Sequence, residues 1–497
     1  MLEHYRNEQL AFQEALGREY FLHYSGQKPR PELHPIYERY ADLFTLDAIG
    51  SLKHLYESTP EHFQRQRWGI KLLQALAEEH FLEQSVKDLT EQIAEFESRA
   101  TLRYDAEEIP FHRALDVLAM ELDPHQRRQL DQQRIQRLEE SNDWRLDRLR
   151  RLSEGSRTLG YDNYWTMVAS WRDCHLSEYA DQFAYFLEHT ESLYLQHLKD
   201  RLPHVIGLPV EQAERADVEY FLQLSQYAEW FPKSRVVEAY GETLRAMGIA
   251  PDKQNNVRID DVQRPGKHPR SVCVPIRVPD EIKVSLSLRG GPTDYQTMLH
   301  EGGHAQHYAW ISSSLPVECK FAGDPAVGEG YAFLFQYLTL DPLWLDEWLH
   351  VTIGEEFIKL SWLHKLFHVR RYAAKLNYER VLHTTAEITE ASQPYAHQLT
   401  EATGFRYPAE EFLYDLDDGV YAAHYLRAWL FEAQLREYLK SRFGKRWWRW
   451  TKAAGFLMEL WHTGQEYTAE GLASQADLGP LSLDHLMSEF ADAVKIR

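Results

Sequence analysis

Residues 300–304 read His-Glu-Gly-Gly-His. On an α-helix, positions four apart differ by about 40° around the axis. His300 and His304 would therefore stack on one face, one turn apart, where two imidazoles can grip one metal ion. Glu301 lies about 100° round from His300, beside such an ion rather than on it. A carboxylate there can take a proton from an activated water. A chain with 24 histidines can produce a five-residue pattern by chance, and a third donor shifts the balance. Asp324-Pro325 is a helix start, an N-cap followed by proline at the first helical position. The helix it opens, 326–338, sets Glu329 in its first turns among apolar residues. An unpaired carboxylate is costly to bury there, and a zinc ion would remove that cost. His300, His304 and Glu329 leave a fourth position for water, the arrangement of a catalytic rather than a structural zinc, one per chain.

The elements around these residues must hold them. Thr293-x-x-Gln296 reads as a capping box, with Asp294 adding negative charge to the first turn. Tyr295, Met298, Leu299, Ala305, Tyr308 and Ala309 give the helix an apolar face. Gly302 and Gly303 each cost about 1 kcal/mol against alanine in a helix interior. Either tertiary packing holds this helix, or a closely approaching backbone needs the missing side chains. Just upstream, 271–277 and 281–288 read as short strands, the second alternating Ile282, Val284, Leu286, Leu288 against Lys283, Ser285, Ser287. They form the only clear strand pair in a helical chain. Such a pair either props the metal helix or lends an edge to an extended peptide. Arg289-Gly290-Gly291-Pro292 is a turn without phosphate-loop glycine spacing.

The interval of 25 positions from His304 to Glu329 resembles that of the zinc peptidases of the thimet oligopeptidase and oligoendopeptidase F family, related to angiotensin-converting enzyme and the Taq-type carboxypeptidases. The resemblance runs from about Gly155 to the C-terminus. It implies a mainly α fold, two helical lobes around a deep substrate channel, with a small β-sheet beside the zinc helix. It implies His300, His304 and Glu329 as ligands and Glu301 as general base. The family also carries a glycine followed by tyrosines that steady the oxyanion of the tetrahedral intermediate, and Gly419, Tyr421 and Tyr425 match that pattern. This chain departs from it in having Asp415, Asp417 and Asp418 where the family has a histidine, and Leu426 and Ala428 where an aromatic is expected. Tyr425, Tyr421 and His424, in that order, are the candidate oxyanion donors; core packing of two tyrosines at i and i+4 is the alternative. Angiotensin-converting enzyme has an acid four places after its ligand glutamate, and here that place is Phe333; Asp324 or Glu318 could support the histidines instead. Gly155–Tyr164 resembles a turn that precedes channel-lining helices in the same families.

The rest of the chain sets bounds. With 497 residues and 44% hydrophobic content it is globular and large enough for two lobes, read here as 1–200 and a catalytic 201–497 that contains the sheet at about 271–288 and the metal helices at 293–340. A formal charge of −21 argues against general nucleic-acid or anionic-membrane binding. Cys174, Cys273 and Cys319 are too few for a disulfide framework, which suits a reducing compartment. The N-terminal residues lack the apolar core of a signal peptide, and no run of about 18 apolar residues exists, so a cytoplasmic protein, monomer or homodimer, is expected. Helical patterns fall at 1–25, 33–57, 60–99, 108–121, 124–153, 163–173, 176–201, 210–224, 233–247, 354–377 and 378–392, with loop at 249–270. Val369–Tyr372 reads as a solvated basic face or, more sharply, a grip for a peptide carboxylate. Arg442–Trp450 reads as an amphipathic helix with snorkelling arginines.

These features point to a zinc metallopeptidase that hydrolyses short unfolded oligopeptides. A zinc carboxypeptidase that removes C-terminal residues is the nearest alternative. A helical binding scaffold with an idle metal site is the rival of another class.

Overall fold

The computed structural model describes residues 2–350 and 354–494, which are mainly α-helical with two small sheets. The elements used below, in chain order, are α1 (Leu2–Tyr24), α2 (Gln64–Arg99), β1 (Thr101–Tyr104), β2 (Glu107–Pro110), α3 (Pro124–Thr158), α4 (Leu176–Ile206), α5 (Val236–Ala246), β3 (Val257–Asp260), β4 (Val272–Arg277), β5 (Glu281–Ser285), α6 (Pro292–Trp310), α7 (Pro325–Gln336), α8 (Glu355–Thr384), α9 (Ser392–Thr403), α10 (Tyr421–Phe443) and α11 (Thr451–Trp461). None of the described helices is long and apolar enough to cross a membrane. The chain divides into two compact units. The first comprises Met1–Glu79, Gln226–Ile358 and Arg427–Glu489; the second comprises His80–Ser225, Lys359–Leu426 and Phe490–Arg497.

The first unit is built around α6 and α7, with Met298, Leu299, Ala305, Val327, Leu334 and Phe335 buried between or behind them. Trp344, Trp447, Trp448 and Trp461 are fully buried in the same unit. Its sheet has the order β3-β5-β4, with β3 parallel and β4 antiparallel to β5. The expected pair of strands at 271–277 and 281–288 is present, and a third strand joins it from the segment read as loop. Val257-Arg258-Ile259-Asp260 is four residues long and sits among prolines and asparagines, too short for its alternation to stand out.

The second unit packs α3, α4, α8 and α9 around Phe183, Phe186, Phe221, Phe367 and Phe405. Phe405 contacts Phe221 and Phe367 at ring-centroid distances of 5.5 and 5.7 Å. It also contains a hairpin that the helical pattern at 108–121 obscured: β1 pairs with β2 through Asp105 and Ala106, both at positive φ. Such a two-residue turn matches the twist of the flanking strands. The stretch 354–392 also differs from expectation. It is a single helix through Thr384 followed by a 3₁₀ turn, and α9 lies beyond it.

Two basic segments are placed differently from their sequence readings. Arg370 is buried, and its guanidinium donates to the carbonyls of Ala402 and Leu187 and to Thr190 Oγ1 at 2.6–2.8 Å. Arg371 pairs with Asp415 at 2.6 Å. The segment is thus neither a solvated face nor a carboxylate grip; its cations tie the second unit together. Arg442–Trp450 is not a helix. α10 ends at Phe443, Gly444 takes φ 85°, and a 3₁₀ turn buries Trp447 and Trp448 while Arg449 pairs with Glu347 at 3.0 Å.

Candidate metal centre

Helix α6 starts differently from the expected capping box. Gly291 is the N-cap at φ 99°, Pro292 follows, and no side chain caps the end. Asp294 instead turns back, accepting from the amides of Arg289 (2.9 Å) and Gly290 (2.6 Å), which fixes the turn that delivers the chain from β5 to the helix. Helix α7 starts as its sequence implied, with Asp324 accepting from the Ala326 amide at 3.1 Å and Pro325 in the first turn. Asp324 is buried and also pairs with the buried Arg427 and with the Ala469 amide.

The two glycines of the motif explain how α6 and α7 come so close. A Cβ on Gly303 would lie 2.8 Å from Ala332 Cα and 2.9 Å from the Tyr331 carbonyl oxygen, contacts that side chains do not make. A Cβ on Gly302 would lie 2.3 Å from the Tyr240 ring. Tyr240, from α5, uses that space to donate its hydroxyl to the Gly302 carbonyl at 3.0 Å while accepting from Gln306. The helix therefore gives up propensity at two positions, offset by close packing against the α7 backbone at Gly303 and the Tyr240 ring at Gly302.

This approach brings three donors together. His300 Nε2 and His304 Nε2 lie 3.4 and 3.5 Å from Glu329 Oε2, and all three ligand atoms fall within 4.8 Å of one another. Among the described residues this is the one such group of histidine, cysteine or acidic side chains. The spacing suits a metal. Bonds of about 2.0–2.1 Å at tetrahedral angles separate neighbouring ligand atoms by about 3.4 Å. The donor set, two imidazole nitrogens and one carboxylate oxygen, also suits a divalent ion of intermediate softness. Burial alone would raise the Glu329 carboxyl, but His304 and His300 outweigh it and hold the group well below the usual range, as an anion. His300 Nδ1–H donates to Gln336 Oε1 at 2.8 Å, which fixes the tautomer and leaves Nε2 as the lone-pair nitrogen. Gln336, and neither Asp324 nor Glu318, is the side chain that meets His300 Nδ1. Asp324 is committed to Arg427, and Glu318 is buried against Arg6. Gln336 lies seven residues after Glu329, two turns along the same face of α7, a spacing that could have flagged it.

Glu301 points to the sheet. Its Oε2 accepts from the backbone amide of Cys273 on β4 at 2.7 Å. Cys273 pairs across the ladder with Val284 of β5, so the amide reaching Glu301 belongs to the outer edge of the sheet. Burial pushes the Glu301 carboxyl up, against the pull of His300 and His304, and the net shift is upward. A carboxylate so adjusted moves toward the range where a general base works best.

The fold recurs in solved structures. The fold is shared with oligoendopeptidase F. A protein assigned to that name, from Bacillus anthracis str. Ames, superposes with a TM-score of 0.66 at 14% identity, over 92% of this chain and 84% of its own. PZ peptidase A, solved with an inhibitor, gives 0.62 at 15% identity over 93% of this chain and 84% of its own. A protein assigned as a peptidase from Chlamydophila abortus gives 0.62 at 12% identity over 93% and 82%. At these identities the likeness is one of fold. No protein-family model matches the sequence, and no curated protein sequence matches it.

The second constellation lies in the second unit. Tyr421 and Tyr425 share a face at the start of α10, rings 5.0 Å apart, with Tyr372 5.0 Å beyond Tyr425 and buried His424 5.6 Å from Tyr421. Gly419, at φ 73°, turns the chain into this helix and donates its amide to the hydroxyl of Tyr164. Tyr164 opens its own helix behind a reciprocal cap between Asn163 and Thr166. The acids that precede this helix are all paired: Asp415 with Arg371, Asp417 with Lys375, Asp418 with Arg148.

Proposed function

We propose that this chain is a zinc-dependent peptidase that cleaves short, unfolded oligopeptides. The observation that carries the reading is the convergence of His300, His304 and Glu329 from two helices onto one point, with the carboxylate of Glu301 next along α6. The shared fold supports it, since the similar chains are assigned as peptidases. His300, His304 and Glu329 would hold the ion. When bound, zinc acts as a Lewis acid on a carbonyl and makes water nucleophilic near neutral pH.

The side chains have separate tasks. Glu301 takes the proton of the attacking water and returns it to the leaving amine. The Cys273 amide aims the carboxylate while it is charged. The sheet therefore serves the site by propping the base. Gln336 keeps His300 in the tautomer that offers Nε2. Tyr425, then Tyr421, then His424 are the proposed hydrogen-bond donors to the oxyanion; loss of one such donor typically lowers turnover by about 10²–10³. Internal cleavage is preferred over removal of C-terminal residues, because Arg370 and Arg371, the basic pair considered as a carboxylate grip, are engaged in internal contacts. Cytoplasmic action on free peptides is part of the proposal, three cysteines being too few for a disulfide framework.

The test is metal analysis of the purified chain together with digestion of a mixed peptide library, wild type beside Glu301→Gln. One zinc per chain and internal cuts that vanish in the variant are expected. Cleavage unchanged in Glu301→Gln would overturn the assignment of the base. Successive single-residue losses from the C-terminus would replace the oligopeptidase with a carboxypeptidase.

A further inference from the structure

His307 stands just under one turn beyond His304 on α6 and is fully buried. Its Nε2–H donates to the Gly464 carbonyl at 3.3 Å, so the neutral ring presents Nδ1 as an acceptor. Nδ1 is itself buried and makes no hydrogen bond to a described residue. Buried polar atoms in this condition are uncommon, and each asks for a partner.

Gly328 of α7 faces this nitrogen. The point its Cβ would occupy lies 3.7 Å from His307 Nδ1, 3.7 Å from His304 Nδ1 and 3.9 Å from His304 Cε1. Two ring nitrogens thus border one small gap. Sterics do not require glycine there. Unlike Gly303, residue 328 could carry a methyl group at ordinary van der Waals distances, and alanine would favour the helix by about 1 kcal/mol. A histidine that binds a metal through Nε2 carries its proton on Nδ1 and almost always donates it. His300 does so to Gln336.

We infer that His307 is a positioning residue for His304. Across the gap over Gly328, one water bridges His304 Nδ1–H to His307 Nδ1, and the Gly464 carbonyl turns that nitrogen into an acceptor by taking the proton on the far side of the ring. Gly328 keeps the gap polar. Each proposed metal histidine then has its own support, an amide oxygen for His300 and a second imidazole for His304. The inference rests on the metal reading given above and adds to it a residue that binds neither metal nor peptide.

Zinc affinity measured by competition with a chromophoric chelator tests it, with thermal unfolding of each metal-free protein alongside. Gly328→Ala is expected to weaken zinc binding about 10–100-fold, the usual cost of losing such a support, while the metal-free protein melts no lower than wild type. His307→Gln keeps an N–H near Gly464 but places no acceptor at the Nδ1 position, and should lose as much. His307→Asn restores an acceptor there and should recover most of the affinity. Zinc affinity within twofold of wild type in both Gly328→Ala and His307→Gln would overturn the inference. So would equal losses in His307→Gln and His307→Asn that track lowered melting. A wild-type protein that binds no zinc would sink the metal reading itself, a result distinct from either.

Discussion

Gly303→Ala is the substitution on which the geometry speaks most sharply. The new methyl would meet Ala332 Cα at 2.8 Å and the Tyr331 carbonyl at 2.9 Å, backbone atoms of α7 that cannot swing aside. Carbon atoms pack best at about 3.5–4.0 Å, so α6 and α7 must part by roughly 0.7 Å or more. Overpacking of this kind costs about 1–3 kcal/mol, against a gain of about 1 kcal/mol from replacing glycine in a helix. The net effect on folding is therefore small, about 0–2 kcal/mol of destabilisation. The effect on the metal site is larger, because α6 carries His300 and His304 while α7 carries Glu329. Metal–ligand distances tolerate about 0.2 Å, so a parting of this size should reduce zinc affinity by at least tenfold. Chelator competition gives the affinity and urea titration the stability. Gly455→Ala serves as the control: it lies within α11 with nothing inside 4 Å of its Cβ position, and should only stabilise, by about 1 kcal/mol. If Gly303→Ala behaved like Gly455→Ala, more stable and equally tight for zinc, the claim that missing side chains set the spacing of the ligands would be wrong.

Three further outcomes are expected. Gln336→Leu removes the acceptor for His300 Nδ1–H and should weaken zinc binding about 10–100-fold by chelator competition, with little change in the far-ultraviolet dichroism. Arg427→Met breaks a buried pair and strands Asp324 at the start of α7; urea titration should show a loss of about 3–5 kcal/mol, nearer the lower figure because the Ala326 and Ala469 amides still hold the carboxylate. Glu379 is fully buried 4.0 Å from Lys375, and burial, opposed by Lys375, pushes its carboxyl up to about 8. The folded chain thus holds this proton more tightly than the unfolded chain, where the group titrates near about 4.3. Its contribution to stability is complete below that value and lost as pH rises through about 8. Urea midpoints should fall between pH 6 and pH 9 in wild type and fall less in Glu379→Gln; equal slopes would show that the carboxyl is not held neutral.

Much of the candidate site's His-His-Glu geometry could be read from residue types and spacing because it depends on short-range helical geometry. His300 and His304 share a face by their four-residue offset, and Asp324-Pro325 starts α7 in the sequence as in the structure. Gly302 and Gly303 posed the right question, since their propensity cost pointed to close backbone approach. The parts that were not legible depend on contacts distant in sequence. Thr293 reads as a cap, yet Asp294 takes the turn amides because Arg289 and Gly290 fold back upon it. Arg370 and Arg371 read as surface charge because no local pattern reveals the carbonyls and Asp415 that meet them. β3 is too short to alternate convincingly, and the β1–β2 hairpin borrows residues from an apparent helical period. His307 gave no signal of its own in a chain with 24 histidines; only its burial and its orphaned nitrogen single it out.

The contact between Glu301 and residue 273 is made by main chain on one side. The hydrogen bond itself therefore does not depend on which side chain stands at 273. Serine, valine or alanine would orient the carboxylate equally well, whereas proline alone would remove the donor. A position can thus change its side chain and still supply the contact, a dependence that inspection of side chains alone would not reveal.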